Sequence, residues 1–326
     1  MRKDKAMREP YLLAAGLLTG LAIPASALPQ MSIVLPETSQ LVLNSQQSSQ
    51  IAGDKKNIAH PHRSFPEFSY QRLPESLFHH SSPPSHLPLI SGNQLYHQRL
   101  AALKTGQIYT RLDSNTPQLS SDLSKNRQLT YEDWKNLLAL EAKAISQGQG
   151  TSYLGILVGD SLSMWFPREK LPTGKLWLNQ GISGDTSGGV SRRLRAFAST
   201  RPNVIYIMAG INDLRKGDSN EEILRNHRRI IRSLRQSHPK SQIIVQSILP
   251  TRLPTIPNSR IIQINRQLAL MAQQEKADYL NIYDWFTDVQ GDLRPELTTD
   301  GLHLSQDGYD IWRSALQQLE LTHSGN

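Results

Sequence analysis

The stretch Leu154-Gly-Ile-Leu-Val-Gly-Asp-Ser-Leu162 decides how the chain is read. Its apolar run stops at Gly159-Asp160-Ser161. A short apolar run bounded by glycine is the pattern of a strand buried on both faces of a parallel sheet. In open α/β sheets, ligands bind beyond the carboxyl ends of the strands. Ser161 therefore stands where a nucleophile is useful, although Gly-Asp-Ser is also ordinary turn chemistry. The residues downstream separate the two readings.

After Tyr153, strand-like and helix-like runs alternate. Strands are predicted at 154–158, 175–179, 204–208, 242–248 and 279–283, and helices at 188–199, 219–237, 259–276 and 305–321. Such alternation argues for an α/β fold, a parallel sheet covered on both faces. The 219–237 helix carries Ile223, Leu224, His227, Ile230, Ile231 and Leu234 on one face. Five arginines from Arg225 to Arg235 line the other, which reads as its solvated side.

Three further clusters lie at strand ends or on the last loop. In Asn179-Gln-Gly-Ile-Ser-Gly-Asp-Thr186, the Gly184 N–H is a candidate donor to a developing oxyanion; the plain alternative is a glycine needed for its conformation. In Ala209-Gly-Ile-Asn-Asp213, Asn212 offers a side-chain amide to the same place, or serves as a turn residue. In Asp300-Gly-Leu-His303, a carboxylate sits three residues from an imidazole, a spacing that lets Asp300 orient His303 while His303 takes a serine proton. Ser163, Ser183 and Ser187 are rival hydroxyls. Asp160, Asp185 and Asp213 read as turn and loop hydrogen-bonding groups. Trp165 and Phe166 are either acyl-pocket walls or core.

Together the four clusters resemble the SGNH hydrolase superfamily, the GDSL esterases and lipases. Gly159-Asp-Ser-Leu162 is the first block, Gly184 belongs to the second, Gly210-x-Asn212-Asp213 to the third, and Asp300-x-x-His303 to the last. The Asn179–Thr186 block is similar to the branch of bacterial lysophospholipase/thioesterase and platelet-activating-factor-acetylhydrolase-like proteins. The resemblance covers about residues 153–321. It implies a flavodoxin-like three-layer α/β/α sandwich with a five-stranded parallel sheet. It also implies Ser161 as nucleophile, His303 as base, Asp300 as its orienter, and an oxyanion hole made by the Ser161 N–H, the Gly184 N–H and the Asn212 amide. There is no G-x-S-x-G elbow, which counts against the ordinary α/β-hydrolase fold.

The remainder of the chain is different in kind. Apolar residues make up 38% of the 326, low for a chain packed throughout. Residues 1–27 read as a signal peptide: Arg2, Lys3, Lys5 and Arg8 precede an apolar run and Ala25-Ser26-Ala27. This predicts export to a periplasm or exterior, with an uncleaved membrane anchor as the alternative. Residues 28–92, rich in Ser, Gln, Pro and His, read as a disordered linker whose histidines are solvated rather than metal-binding. Residues 93–150 read as a helical extension. A helix is predicted at 95–112, and Thr130-Tyr-Glu-Asp133 opens a second that ends at 147–150 and carries Trp134, Leu137, Leu138, Ala142 and Ile145 on one face. Residues 151–326 form the predicted catalytic domain.

Having no cysteine, the chain excludes disulfides, zinc–thiolate sites, a cysteine nucleophile and a lipidated cysteine. The formal charge of +8 permits peripheral contact with an anionic envelope surface. No recognised nucleic-acid motif accompanies it. The expected activity is a serine esterase needing no metal or organic cofactor. Expected substrates are a small acyl ester or thioester, a lysophospholipid, or an acetylated glycan of the envelope. An inactive surface-binding protein is the reading from another class, and the intact Ser161, Gly184, Asn212, Asp300 and His303 argue against it.

Overall fold

The computed structural model describes residues 91–111 and 128–324. The signal-peptide reading and nearly all of the linker reading lie outside the described residues.

Five strands, β1 (Leu154–Gly159), β2 (Leu176–Gly181), β3 (Val204–Met208), β4 (Gln242–Gln246) and β5 (Asp278–Leu280), form one parallel sheet in the order β2-β1-β3-β4-β5. Side chains alternate across it as strand geometry demands. Leu154, Ile156, Val158, Ile205, Ile207, Ile243 and Val245 enter one core; Leu157, Tyr206, Met208 and Ile244 enter the other. Both faces are apolar because both are covered.

The first face is covered by α2 (Tyr131–Gly148), α4 (Ser187–Arg193), α6 (Asn220–Ser237) and α7 (Asn258–Gln274), which contribute Ala142, Val190, Ile230 and Ile264 among others. The second is covered mainly by α8 (Gln306–Ser324), through Tyr309, Trp312, Ala315 and Leu316, with Phe286, Leu293 and Leu297 from the preceding loops. This is the expected three-layer α/β/α sandwich. The apolar stripe of α6 is buried, and Arg225, Arg229 and Arg232 on its other face are exposed.

Several boundaries differ from expectation for local reasons. The predicted 95–112 helix is α1 (Gly92–Lys104) followed by a bend, where Gly106 takes a φ of 74°, and a single turn at Tyr109–Arg111. The 188–199 helix tightens into a 3-10 turn after Arg193. The last strand stops at Leu280, because the Asn281 side chain accepts the Tyr283 N–H and turns the backbone away. The Thr130/Asp133 capping box forms, with both side chains bonded to each other's backbone N–H.

β2 is an edge strand, and the helical extension covers it. Thr110 Oγ1 donates to the Trp177 carbonyl (2.6 Å) and Arg99 Nη2 to the Asn179 carbonyl (2.7 Å). These alternate carbonyls would otherwise template another strand. Arg99 is 2% exposed and is neutralised by Glu141, which accepts from its Nε (2.9 Å) and from Nη2. Leu95, Trp134, Leu137 and Leu138 of the extension pack directly on Met164 and Ile182. Those two residues border the segments that follow β1 and β2, so the extension reaches the carboxyl ends of the strands.

Candidate active site

Strands β2 and β3 flank β1: the chain passes from β1 to β2 on one side, then crosses from β2 to β3 on the other. This is a topological switch point, where parallel sheets open a crevice. Three of the four sequence clusters end at this crevice.

After β1, Asp160 caps a four-residue helix, α3 (Ser161–Met164), by accepting the Leu162 N–H at 3.0 Å. Ser161 is the first residue of that helix, so its own N–H has no partner within the helix. The Asn179 side chain fixes α3 against β2: its Nδ2 donates to the Ser163 carbonyl (2.6 Å) and its Oδ1 accepts the Gly181 N–H (2.9 Å).

After β2 the chain makes a tight turn, closed by the Asp185 N–H donating to the Ile182 carbonyl at 3.2 Å. Gly184 occupies its third position with φ 77°, which a residue with a side chain adopts only with strain. After β3, Asn212 lies in α5 (Ile211–Lys216), a short helix that the periodicity did not announce. Asn212 is 3% exposed. Its Nδ2 donates to the Asp185 carbonyl (3.1 Å) and its Oδ1 accepts from Arg215 (3.2 Å). An amide nitrogen carries two hydrogens, so a second remains for a ligand.

The last loop brings the remaining pair. The Asp300 carboxylate accepts the Leu302 N–H (3.0 Å) and the His303 N–H (2.7 Å), and its Oδ2 meets His303 Nδ1 at 2.7 Å. Partial burial raises the Asp300 pKa, but the His303 side-chain bond and these N–H donors outweigh it and hold the carboxyl below its ordinary value. An ionised carboxylate can only accept, so it places the imidazole proton on Nδ1 and the lone pair on Nε2. That Nε2 lies 3.1 Å from Ser161 Oγ.

The structure thus brings Ser161, His303 and Asp300 into one hydrogen-bonded row, and joins the Gly184 turn to Asn212 through Asp185. Two of the three rival hydroxyls are taken up by the interior. Ser187 Oγ donates to Asp213, and Ser163 is 1% exposed, packed beside Gly159. Phe166 belongs to the core, edge-on to Tyr309 and Trp312; Trp165 is half-buried between two core clusters.

Two side chains that the sequence reading did not single out tie the site together. Arg193 donates to Asp185 Oδ2 (2.6 Å) and to the Gly159 carbonyl (2.8 Å), linking the ends of β1 and β2. Tyr131 of α2 donates its hydroxyl to Asp185 Oδ1 at 3.2 Å. Neither carries a local signature: one is an arginine in a basic helix, the other an aromatic beside a capping box.

The family model described as GDSL-like lipase/acylhydrolase matches residues 145–311, just over half of the chain. Among solved structures, one from Streptococcus pneumoniae named for platelet activating factor is 26% identical, covering 58% of this chain and 93% of that one with a TM-score of 0.53. A GDSL-like lipase from Bacteroides thetaiotaomicron shares the fold at 21% identity, covering 57% and 96%, with a TM-score of 0.50. An N-acylneuraminate cytidylyltransferase of Streptococcus agalactiae is 28% identical over 162 residues, 50% of this chain. The chain spans 37% of the length of that curated relative.

Proposed function

The chain belongs to the GDSL-like lipase/acylhydrolase family, and from that premise we propose that it is an ester-bond hydrolase working through an acyl-Ser161 intermediate on small acyl esters. The observation that carries this reading is the row Ser161 Oγ, His303 Nε2, His303 Nδ1, Asp300 Oδ2, with separations of 3.1 and 2.7 Å at its two hydrogen bonds. As Ser161 Oγ attacks the ester carbonyl, its proton passes to His303 Nε2, and Asp300 stabilises the imidazolium. The carbonyl oxygen becomes an oxyanion, received by the Ser161 N–H, the Gly184 N–H and the second hydrogen of Asn212. Collapse expels the alcohol, which takes the proton from His303. Water then repeats the sequence in reverse and frees the acid.

Short acyl groups fit best. Of the two aromatic candidates for an acyl wall, Phe166 is consumed by the core and Trp165 is half-buried between two core clusters, and Gly184 lies at the exposed rim. An acetylated envelope glycan would then form the alcohol side, whereas a lysophospholipid, whose ester carries a long acyl chain, does not suit the short-acyl reading. Esters graded from acetyl to palmitoyl, assayed on wild type and Ser161→Ala, test the proposal. We expect turnover to fall with chain length and to vanish in the variant; equal turnover of palmitoyl esters overturns the short-acyl part.

The basic and apolar N-terminal residues up to Ala27 support export as part of the same proposal. N-terminal sequencing of the protein recovered outside the cytoplasm should begin at Leu28. A chain beginning at Met1 and held in the membrane fraction supports the anchor instead.

A further inference from the structure

We propose that the helical extension is a working part of the active site, with Tyr131 as a positioning residue that holds the oxyanion turn through Asp185. The inference rests on the serine-esterase reading and extends it to a residue outside the family-matched segment 145–311.

Asp185 is the hub of the turn. Its N–H closes the turn around Gly184, and its carbonyl accepts the Asn212 amide. Two of the three assigned oxyanion donors are therefore attached to the backbone of this one residue. Its carboxylate is 5% exposed and held from two directions: Arg193 takes Oδ2, and the Tyr131 hydroxyl takes Oδ1. A third boundary is Gly189 of α4, where an added Cβ would stand 1.7 Å from Oδ1. Oδ1 is thus wedged between a glycine that makes room for it and a phenol that bonds it. Removing the phenol leaves Arg193, on Oδ2, as the carboxylate's remaining side-chain partner.

Tyr131 is itself held in place. It is the first residue of α2, and the Thr130/Asp133 capping box sets the backbone at that point. Lys135 Nζ lies 5.5 Å from its ring centroid. Burial, and then the Asp185 charge, raise its pKa, so the phenol keeps the proton it donates. Behind it, Trp134, Leu137 and Leu138 anchor α2 on Met164 and Ile182. The hydroxyl is therefore carried to Asp185 on a rigid element.

The test is Tyr131→Phe in the full chain, with acetyl-ester kinetics, a thermal melt and the rate of fluorophosphonate labelling, beside Ser161→Ala. The change deletes one oxygen and keeps the ring. A positioning role predicts kcat reduced about five- to tenfold, the scale of one lost hydrogen bond of ordinary strength. KM should stay at the wild-type value, the melting temperature should fall by no more than a few degrees so that the variant stays folded under assay, and the labelling rate should fall in parallel with kcat. A wild-type kcat overturns the role. So does a loss of activity matched by a loss of folded protein, or a change confined to KM. If Ser161→Ala keeps full turnover, the serine reading fails and the inference falls with it. If Ser161→Ala is inert and Tyr131→Phe is wild type, only the positioning role fails.

Discussion

Asp160, one residue before the nucleophile, gives one carboxylate oxygen to the Leu162 N–H, while its other oxygen, Oδ2, is buried without a hydrogen-bond partner. Burial is the main reason its pKa is pushed up to about 7; the Leu162 N–H opposes this, and the Asp185 and Asp213 charges add to it. A folded-state pKa above the ordinary 3.8 means that the folded chain binds this proton more readily than the unfolded chain. The resulting stability is fully present below about pH 3.8 and is lost as pH rises through about 7. Asp160→Asn keeps the Oδ1 acceptor and cannot ionise. Its urea midpoint should therefore rise relative to wild type between about pH 4 and pH 7; a constant difference across that range contradicts the assignment. At Asn212 the expectation is kinetic. Asn212→Ala should lower kcat by about 10²–10³ with KM little changed, since the amide faces charge that develops only in the transition state. The lost buried bond to the Asp185 carbonyl should cost about 1–3 kcal/mol of stability as well. A kcat within about threefold of wild type removes the oxyanion role, because that ratio is under 1 kcal/mol of barrier.

At the scale of elements, the extension is joined to the sheet by a buried ion pair. Arg99 and Glu141 are each 2% exposed and lie 42 residues apart in sequence. Glu141→Ala leaves a buried guanidinium without its counter-charge and should cost about 3–5 kcal/mol by urea denaturation. Replacing both partners with Met should cost clearly less, since no uncompensated charge remains; equal losses contradict the pairing argument. Removing the whole extension exposes Met164, Ile182 and the carbonyls of β2. A protein beginning at Thr151 should therefore melt well below one beginning at Gly92, and equal melting temperatures remove the docking claim. The sequence announced the stripe of Trp134, Leu137, Leu138 and Ile145 through its helical period, but not its destination. Periodicity tells which side of a helix is apolar. The partner on β2 is set by contacts far apart in sequence, such as Arg99 to Asn179, which leave no local mark.

For the molecule as a whole, the legible part was the part with a fixed grammar. Short apolar runs marked the strands, because both sheet faces are buried. Ser161, Gly184, Asn212, Asp300 and His303 were readable because each stands beside turn-forming residues at a strand end or on the last loop. The illegible part was the connecting network: Arg193 and Tyr131 meet at Asp185 only because β1, β2 and the extension converge there. α5 went unread because six residues are too few to show a period. The proposed chemistry requires this converging geometry to make Ser161 a nucleophile with His303 as its base. The most direct measurement is intact-mass and peptide mapping of the protein after reaction with a fluorophosphonate. One label per chain is expected, located on Ser161, with labelling abolished in Ser161→Ala and slowed by orders of magnitude in His303→Ala. A label on Ser163, Ser183 or Ser187, or undiminished labelling of Ser161→Ala, contradicts the account.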